Sequence, residues 1–101
     1  MLSTQLVPEF VLQALRDPRL RRHHAASVYA EVWASLSFDE ARVVKVGQLA
    51  ETLGIQRREI RRALDLLGKE RYLQFTHRDE NRRRYYRLYD KRGAPRPPVA
   101  S

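Results

Sequence analysis

At 101 residues the chain has the length of a single domain with a modest core. Hydrophobic residues make up 43%, which excludes a disordered polyelectrolyte, and no apolar run approaches the ~18 residues of a membrane span. The absence of cysteine excludes a disulfide scaffold and thiolate metal sites and fits a reducing cytoplasm, while the amino terminus, MLSTQLVPEF, lacks the basic start and long apolar stretch of a signal peptide. The formal charge is +8, unevenly spread: residues 1–41 carry 4 basic and 5 acidic side chains, residues 42–92 carry 15 and 7. The excess therefore sits on the second half of the chain, and a localised positive field suits a polyanion. Nearly all of these cations are arginine, with Lys45, Lys69 and Lys91 the only lysines. Arginine's planar fork favours phosphate and base-edge contacts.

From the amino terminus, Leu6 to Asp17 predicts a helix with Pro8 as its first residue and Phe10, Val11, Ala14 and Leu15 as a narrow apolar face. Asp17-Pro18 is a stop and a restart, Asp as cap and Pro in the first turn. A longer helix is expected to about Leu36, burying Leu20, Val28, Tyr29, Val32, Trp33 and Leu36. On such a helix the adjacent His23 and His24 stand about 100° apart, too far to share a metal, so no metal site is expected. Ser37 to Arg42 reads as a loop, with Asp39 and Glu40 as solvated or capping groups. Val43, Val44 and Val46 then predict a brief strand.

Gly47 to Tyr72, GQLAETLGIQRREIRRALDLLGKERY, predicts two helices joined by a tight turn. Leu49, Ala50 and Leu53 share one side of the first. Gly54 stands just past it, where the chain commonly needs positive φ, and Ile55 plugs the corner. In the second helix Ile60, Ala63, Leu64 and Leu67 form one apolar stripe. Opposite them stand Arg58, Arg62 and Lys69, flanked by Arg61. Arg57 with Arg61, and Arg58 with Arg62, are like charges at i,i+4, each costing roughly 0.2–0.5 kcal/mol, and Arg57 and Arg58 lie in the turn where the macrodipole disfavours cations. A local rule broken on an exposed face suggests a negatively charged partner.

Beyond Tyr72, Leu73 and Phe75 alternate with polar residues on one arm and Tyr86 and Leu88 on another. Asp79-Glu80-Asn81 between them is turn chemistry, so a β-hairpin is expected, its far arm starting at Arg82, Arg83 and Arg84 and its inward positions filled by Phe75, Tyr86 and Leu88. After Asp90 the Pro-rich KRGAPRPPVAS predicts a flexible tail or linker. There is no Gly-rich phosphate loop and no spacing of nucleophile and base, so neither an enzyme nor a cofactor is expected.

Helix, short strand, helix-turn-helix, basic hairpin: over Val43 to Leu88 this order resembles the winged helix-turn-helix DNA-binding domain, with Leu49-Ala50, Leu53-Gly54, Ile55, Ile60 and Leu64 matching its apolar-and-glycine pattern. RRRYYRLYDKRG, from Arg82 to Gly93, looks like the second wing strand of MarR and PadR transcriptional regulators. VPEFVLQALRDPRLRRHHAASVYAEV looks like the lead-in of phage and plasmid replication-initiation winged helices. The chain departs from the family at Gln56 and Gly47, where Ser or Thr is usual. The resemblance implies a mainly α fold with a small β-hairpin (α+β): a three-helix core, an amino-terminal helix and a wing. It divides the chain into a helical extension (1–17), the winged-helix domain (18–90) and the tail (91–101).

It further implies sequence-specific binding of double-stranded DNA, in transcription regulation or replication initiation, by a prokaryotic or phage-encoded cytoplasmic protein. Gln56, Arg57, Arg58, Arg61 and Arg62 would enter the major groove, and Arg82, Arg83 and Arg84 would grip the adjacent backbone. Arg58, Arg61 and Arg62 suit base edges or phosphates; Arg57 and Lys45 suit phosphate anchoring. A homodimer is compatible with this reading, and neither a membrane nor a small-molecule ligand is evident. The alternative is a protein-interaction or RNA-binding module without DNA specificity, using Leu66 and the amino-terminal helix.

Overall fold

Four residues at helical spacing carry the core. Ile60, Ala63, Leu64 and Leu67, the predicted stripe, are all fully buried on α4 (Arg57–Lys69) in the computed structural model, which describes residues 7–89. Before α4 come α1 (Glu9–Arg16), a 3-10 segment (Pro18–His24), α2 (Ala25–Val32), a 3-10 turn (Trp33–Ser35), β1 (Arg42–Val44) and α3 (Val46–Leu53). After it come β2 (Leu73–Arg78) and β3 (Arg84–Leu88). The described residues thus form a mixed α+β fold of four α-helices and one three-stranded antiparallel sheet of order β1-β3-β2. α2, α3, the 3-10 segment and β2 all pack on α4, and α1 packs on α2, adding Val11 and Ala14 to the same core. Among the described residues no helix is long and apolar enough to cross a membrane. The expected tail from Lys91 lies outside the described residues.

The corner between α3 and α4 has the predicted chemistry. Gly54 follows α3 with φ +69°, its N–H bonded to Ala50 O at 2.9 Å, and Ile55 N–H bonds to the same carbonyl at 3.1 Å. Nothing lies within 4 Å of where a Cβ would stand, so only the left-handed backbone selects glycine here.

The long helix expected from Pro18 to Leu36 is not continuous. It breaks at Arg22 (ψ 147°), His23 (φ +56°) and His24 (φ +61°), two successive left-handed residues that each cost roughly 1–3 kcal/mol of strain. The cause is burial: Leu20 and Ala25 are both fully buried, yet five residues apart on one helix they would point about 140° apart. The break re-aims α2 so that both are buried while α2 and the 3-10 segment each pack on α4. The histidines accordingly lie in a turn rather than on a helix.

Other expectations are corrected more locally. Pro8 precedes α1 as its cap residue, and Leu15 is 42% exposed although it stands only about 40° around the helix from the buried Val11. Trp33 is only half-buried, packing edge-on against Phe10 at 6.2 Å. Val46 begins α3 instead of extending β1, since β1 pairs with β3 and that partner starts at Arg84, opposite Val44. The far arm of the hairpin likewise begins at Arg84, not Arg82. Phe75 does not fill the core: it is 49% exposed, touching Tyr86 edge-on at 5.6 Å, because α4 presents Gly68 and Asp65 above it and leaves a gap of about 230 Å³.

One polar joint ties the start of the 3-10 segment to the residues just past α4. Asp17 caps the 3-10 segment by accepting Arg19 N–H at 2.9 Å, binds the Arg19 guanidinium at 2.8 and 3.0 Å, and accepts the Tyr72 hydroxyl at 2.6 Å. Arg19 also reaches Glu70, just past α4, at 3.0 Å. The hydrogen bonds and charge of Arg19, with the Tyr72 hydroxyl, hold the Asp17 carboxyl well below the usual carboxylate range. Burial, and then the Asp17 carboxylate, push the Tyr72 phenol up. Beside it the Tyr29 ring lies 5.7 Å from Tyr72, its hydroxyl buried without a hydrogen-bond partner among the described residues and its pKa raised by that burial.

Candidate nucleic-acid interface

At 100° per residue, Glu59 and Arg61 fall on opposite flanks of α4, with Arg58 and Arg62 on the outward face between them. The polar contacts agree with this wheel. On one flank Asp65 receives Arg84 from β3 at 3.1 Å; on the other Glu59 meets His23 Nδ1 at 3.4 Å. Arg57, Arg58, Arg61 and Arg62 are all exposed, as is Gln56. Gln56 precedes α4 without capping it by its side chain; its Oε1 instead accepts from Arg58 Nη2 at 3.5 Å. Arg62 shares Glu59 with His23, at 3.4 Å.

Arg57 leans back across the corner. A Cβ added at Gly47 would sit 3.0 Å from Arg57 Nη2, so the glycine there makes room for the guanidinium over the first turn of α3. A serine or threonine would need Arg57 to move.

Between α3, α4 and the hairpin lies a depression of about 380 Å³. Its walls bring together Lys45, which precedes α3, Arg61 of α4, and Arg82, Arg83 and Arg84 of the hairpin, with no acidic residue among the lining. Five of the nine predicted residues therefore converge on one place. Gln56, Arg57, Arg58 and Arg62 lie outside that lining, Arg58 and Arg62 on the neighbouring outward face of α4.

The three hairpin arginines do different things. Asp79 builds the tip: its Oδ1 accepts the N–H groups of Asn81 and Arg83, both at 2.9 Å, and its Oδ2 binds Arg83 Nε at 2.8 Å and the Tyr85 hydroxyl at 3.3 Å. Desolvation opposes ionisation of Asp79, but the bonds from Arg83 and Asn81 outweigh it and lower its pKa. Arg82 sits at this tip with φ +65°, exposed, its side chain making no ion pair among the described residues. Arg84, expected near the tip with little core to serve, is instead only 15% exposed and donates to both Asp65 and the Tyr86 hydroxyl at 3.1 Å. Burial alone would lower its pKa; Tyr86 and Asp65 outweigh that and raise it. It is a strut between β3 and α4 that also borders the depression.

No protein-family model matches the chain, and no curated protein matches it in sequence.

Three features around this candidate interface were absent from the sequence reading. The Arg84–Asp65 strut joins residues 19 apart, and neither position differs in type from its solvated neighbours. The His23–Glu59 pair was hidden by the expectation of a straight helix. Arg57's retreat over Gly47 did have a signal, a glycine in the first turn of a helix; the position expected to precede α3 lies inside it, and Lys45 is the cap residue. Among the described residues no group of three or more His, Cys, Asp or Glu is placed to hold a metal ion.

Proposed function

We propose that this chain is a winged helix-turn-helix domain that binds double-stranded DNA in a sequence-specific manner, serving transcription regulation or replication initiation. The observation that carries the reading is the convergence of Lys45, Arg61, Arg82, Arg83 and Arg84 on one depression free of acidic lining, beside an α4 face bearing Arg58 and Arg62. A B-form major groove is about 12 Å wide and admits one helix with its side chains, which is the space α4 would fill. Arg58, Arg61 and Arg62 then reach base edges or flanking phosphates, and bidentate arginine to guanine is the commonest specific contact. Lys45, Arg82 and Arg83 hold the sugar-phosphate backbone, which positions the protein without reading sequence. Arg84, already committed to Asp65 and Tyr86, orients the hairpin against α4.

Fluorescence-anisotropy titration across low to moderate salt tests the electrostatic part. Neutralising about six phosphates gives a slope of log K against log[salt] near −5. Selection from a random duplex pool tests specificity, and a palindromic consensus would indicate a dimer. A flat salt response at measurable affinity would overturn the reading in favour of a protein-interaction module.

A further inference from the structure

The 3-10 segment ends in four successive basic or potentially basic residues, Arg21, Arg22, His23 and His24. By charge count their half of the chain is slightly acidic, but three of its five acids have other surroundings. Asp17 is held by Arg19 and Tyr72, Glu40 pairs with Arg42, and Glu31 borders a depression beside β1 and α3. Arg21, Arg22 and His24 are exposed and make no ion pair among the described residues.

Their position is fixed by two contacts with α4. Leu20 is buried where the segment packs on that helix, and His23 Nδ1 approaches Glu59 Oε1 at 3.4 Å. Glu59 lies on the flank of α4 opposite Arg61 and the hairpin. The turn at His23 and His24 has a left-handed backbone, and the His23–Glu59 contact sets this end of the segment at the Glu59 flank of α4. Glu59, the one acidic residue in the first two turns of α4, is contacted there by His23 and Arg62, and the Arg62 charge offsets part of its own.

A helix occupying a groove about 12 Å wide has a phosphate backbone on each side. The hairpin arginines serve one side. We infer that Arg21, Arg22 and His24 form a second phosphate-contacting edge on the other flank of α4, so that both backbones bordering the groove are held. This rests on the DNA-binding reading above and extends it to a part of the chain outside the helix-turn-helix and hairpin. Such contacts are made to phosphate, so they strengthen binding to any duplex alike.

The test compares the wild-type chain, Arg21→Ser/Arg22→Ser, and Arg82→Ser/Arg83→Ser as a positive control, on a selected duplex and on a scrambled one. Circular dichroism and melting establish that each is folded. The inference expects the Arg21/Arg22 variant to have a salt slope shallower by about 2 units and affinity reduced by a similar factor on both duplexes. An unchanged slope and affinity, with the hairpin variant weakened, would overturn it and leave DNA binding intact. A wild-type chain that bound no duplex would overturn the DNA-binding reading and this edge with it. Phosphate-ethylation interference on the wild-type complex needs no folded variant. Sensitive phosphates on both backbones bordering one groove segment support the inference, and sensitivity on one backbone alone overturns it.

Discussion

Two arginine-bearing regions of this molecule use the same side chain to opposite ends. At the Asp17 joint, Arg19 is matched by two carboxylates and a tyrosine completes the set, fastening the start of the 3-10 segment to the end of α4. On the α4 and hairpin face, Lys45, Arg58, Arg61 and Arg82 stand exposed without an acidic partner among the described residues. Three acids near this face are engaged: Asp79 in the hairpin tip, Asp65 with Arg84, Glu59 with His23 and Arg62. Net charge alone could not distinguish these regions. The pairing of acids does, because it determines where positive charge is left uncompensated.

The comparison sharpens first at the core beneath both regions. Ile60→Ala should cost about 2–4 kcal/mol, since Ile60 is fully buried on α4, and thermal melting should show a correspondingly large fall in midpoint. An unchanged midpoint would mean that the face above it does not depend on how α4 is seated.

Next comes the joint. Asp17→Ala removes a helix cap worth about 1 kcal/mol and leaves the Tyr72 hydroxyl without its acceptor, so a loss of about 2 kcal/mol is expected. DNA affinity of the folded protein should hardly change. The pH dependence has a definite sign. A carboxyl whose folded pKa is depressed stabilises the fold above the ordinary carboxylate pKa of about 4, and this is lost as pH falls toward the folded value. Asp17→Asn should therefore flatten the acid limb of a stability-against-pH curve. Tyr72, with its pKa raised, contributes in the opposite sense, its stabilisation present below the ordinary phenol pKa of about 10 and lost at higher pH.

The face should show the reverse balance. Arg58→Ala and Arg62→Ala relieve like-charge repulsion at i,i+4, and only Arg62 gives up an ion pair, a solvent-exposed one at 3.4 Å. Each should change stability by less than about 0.5 kcal/mol while weakening DNA binding by about 1–3 kcal/mol where it reads a base edge. A loss of stability without loss of binding would move them into the class of Arg19.

The smallest effect is expected at Tyr29. Its buried hydroxyl has no partner among the described residues, and an unsatisfied buried polar group is unfavourable, so Tyr29→Phe should leave stability unchanged or raise it by up to about 1 kcal/mol. Denaturant unfolding would read this directly. A clear loss would reveal an unseen hydrogen bond, such as one through water, and extend the Asp17 joint inward.

Helical periodicity placed Ile60, Ala63, Leu64 and Leu67 inside and Arg58 and Arg62 outside, because burial along one helix depends on spacing within about two turns. Gly54 was legible for the same local reason, since a positive φ after a helix selects glycine. The Asp17-Pro18 restart and the Asp79 turn were legible too, as side chains bonding to backbone two to four residues away. What lay beyond the sequence involved partners distant along the chain. Asp17 meets Tyr72 across 55 positions, Arg84 meets Asp65 across 19, and Phe75 stays exposed because Gly68 faces it from another element. The break at His23 and His24 is of this kind as well: histidine tolerates a left-handed backbone better than most residues, but it is the burial of both Leu20 and Ala25, about 140° apart on one continuous helix, that calls for a break. Local pattern determined which side chains each element could bury; only the assembled fold decided which arginines were neutralised and which were left facing outward together.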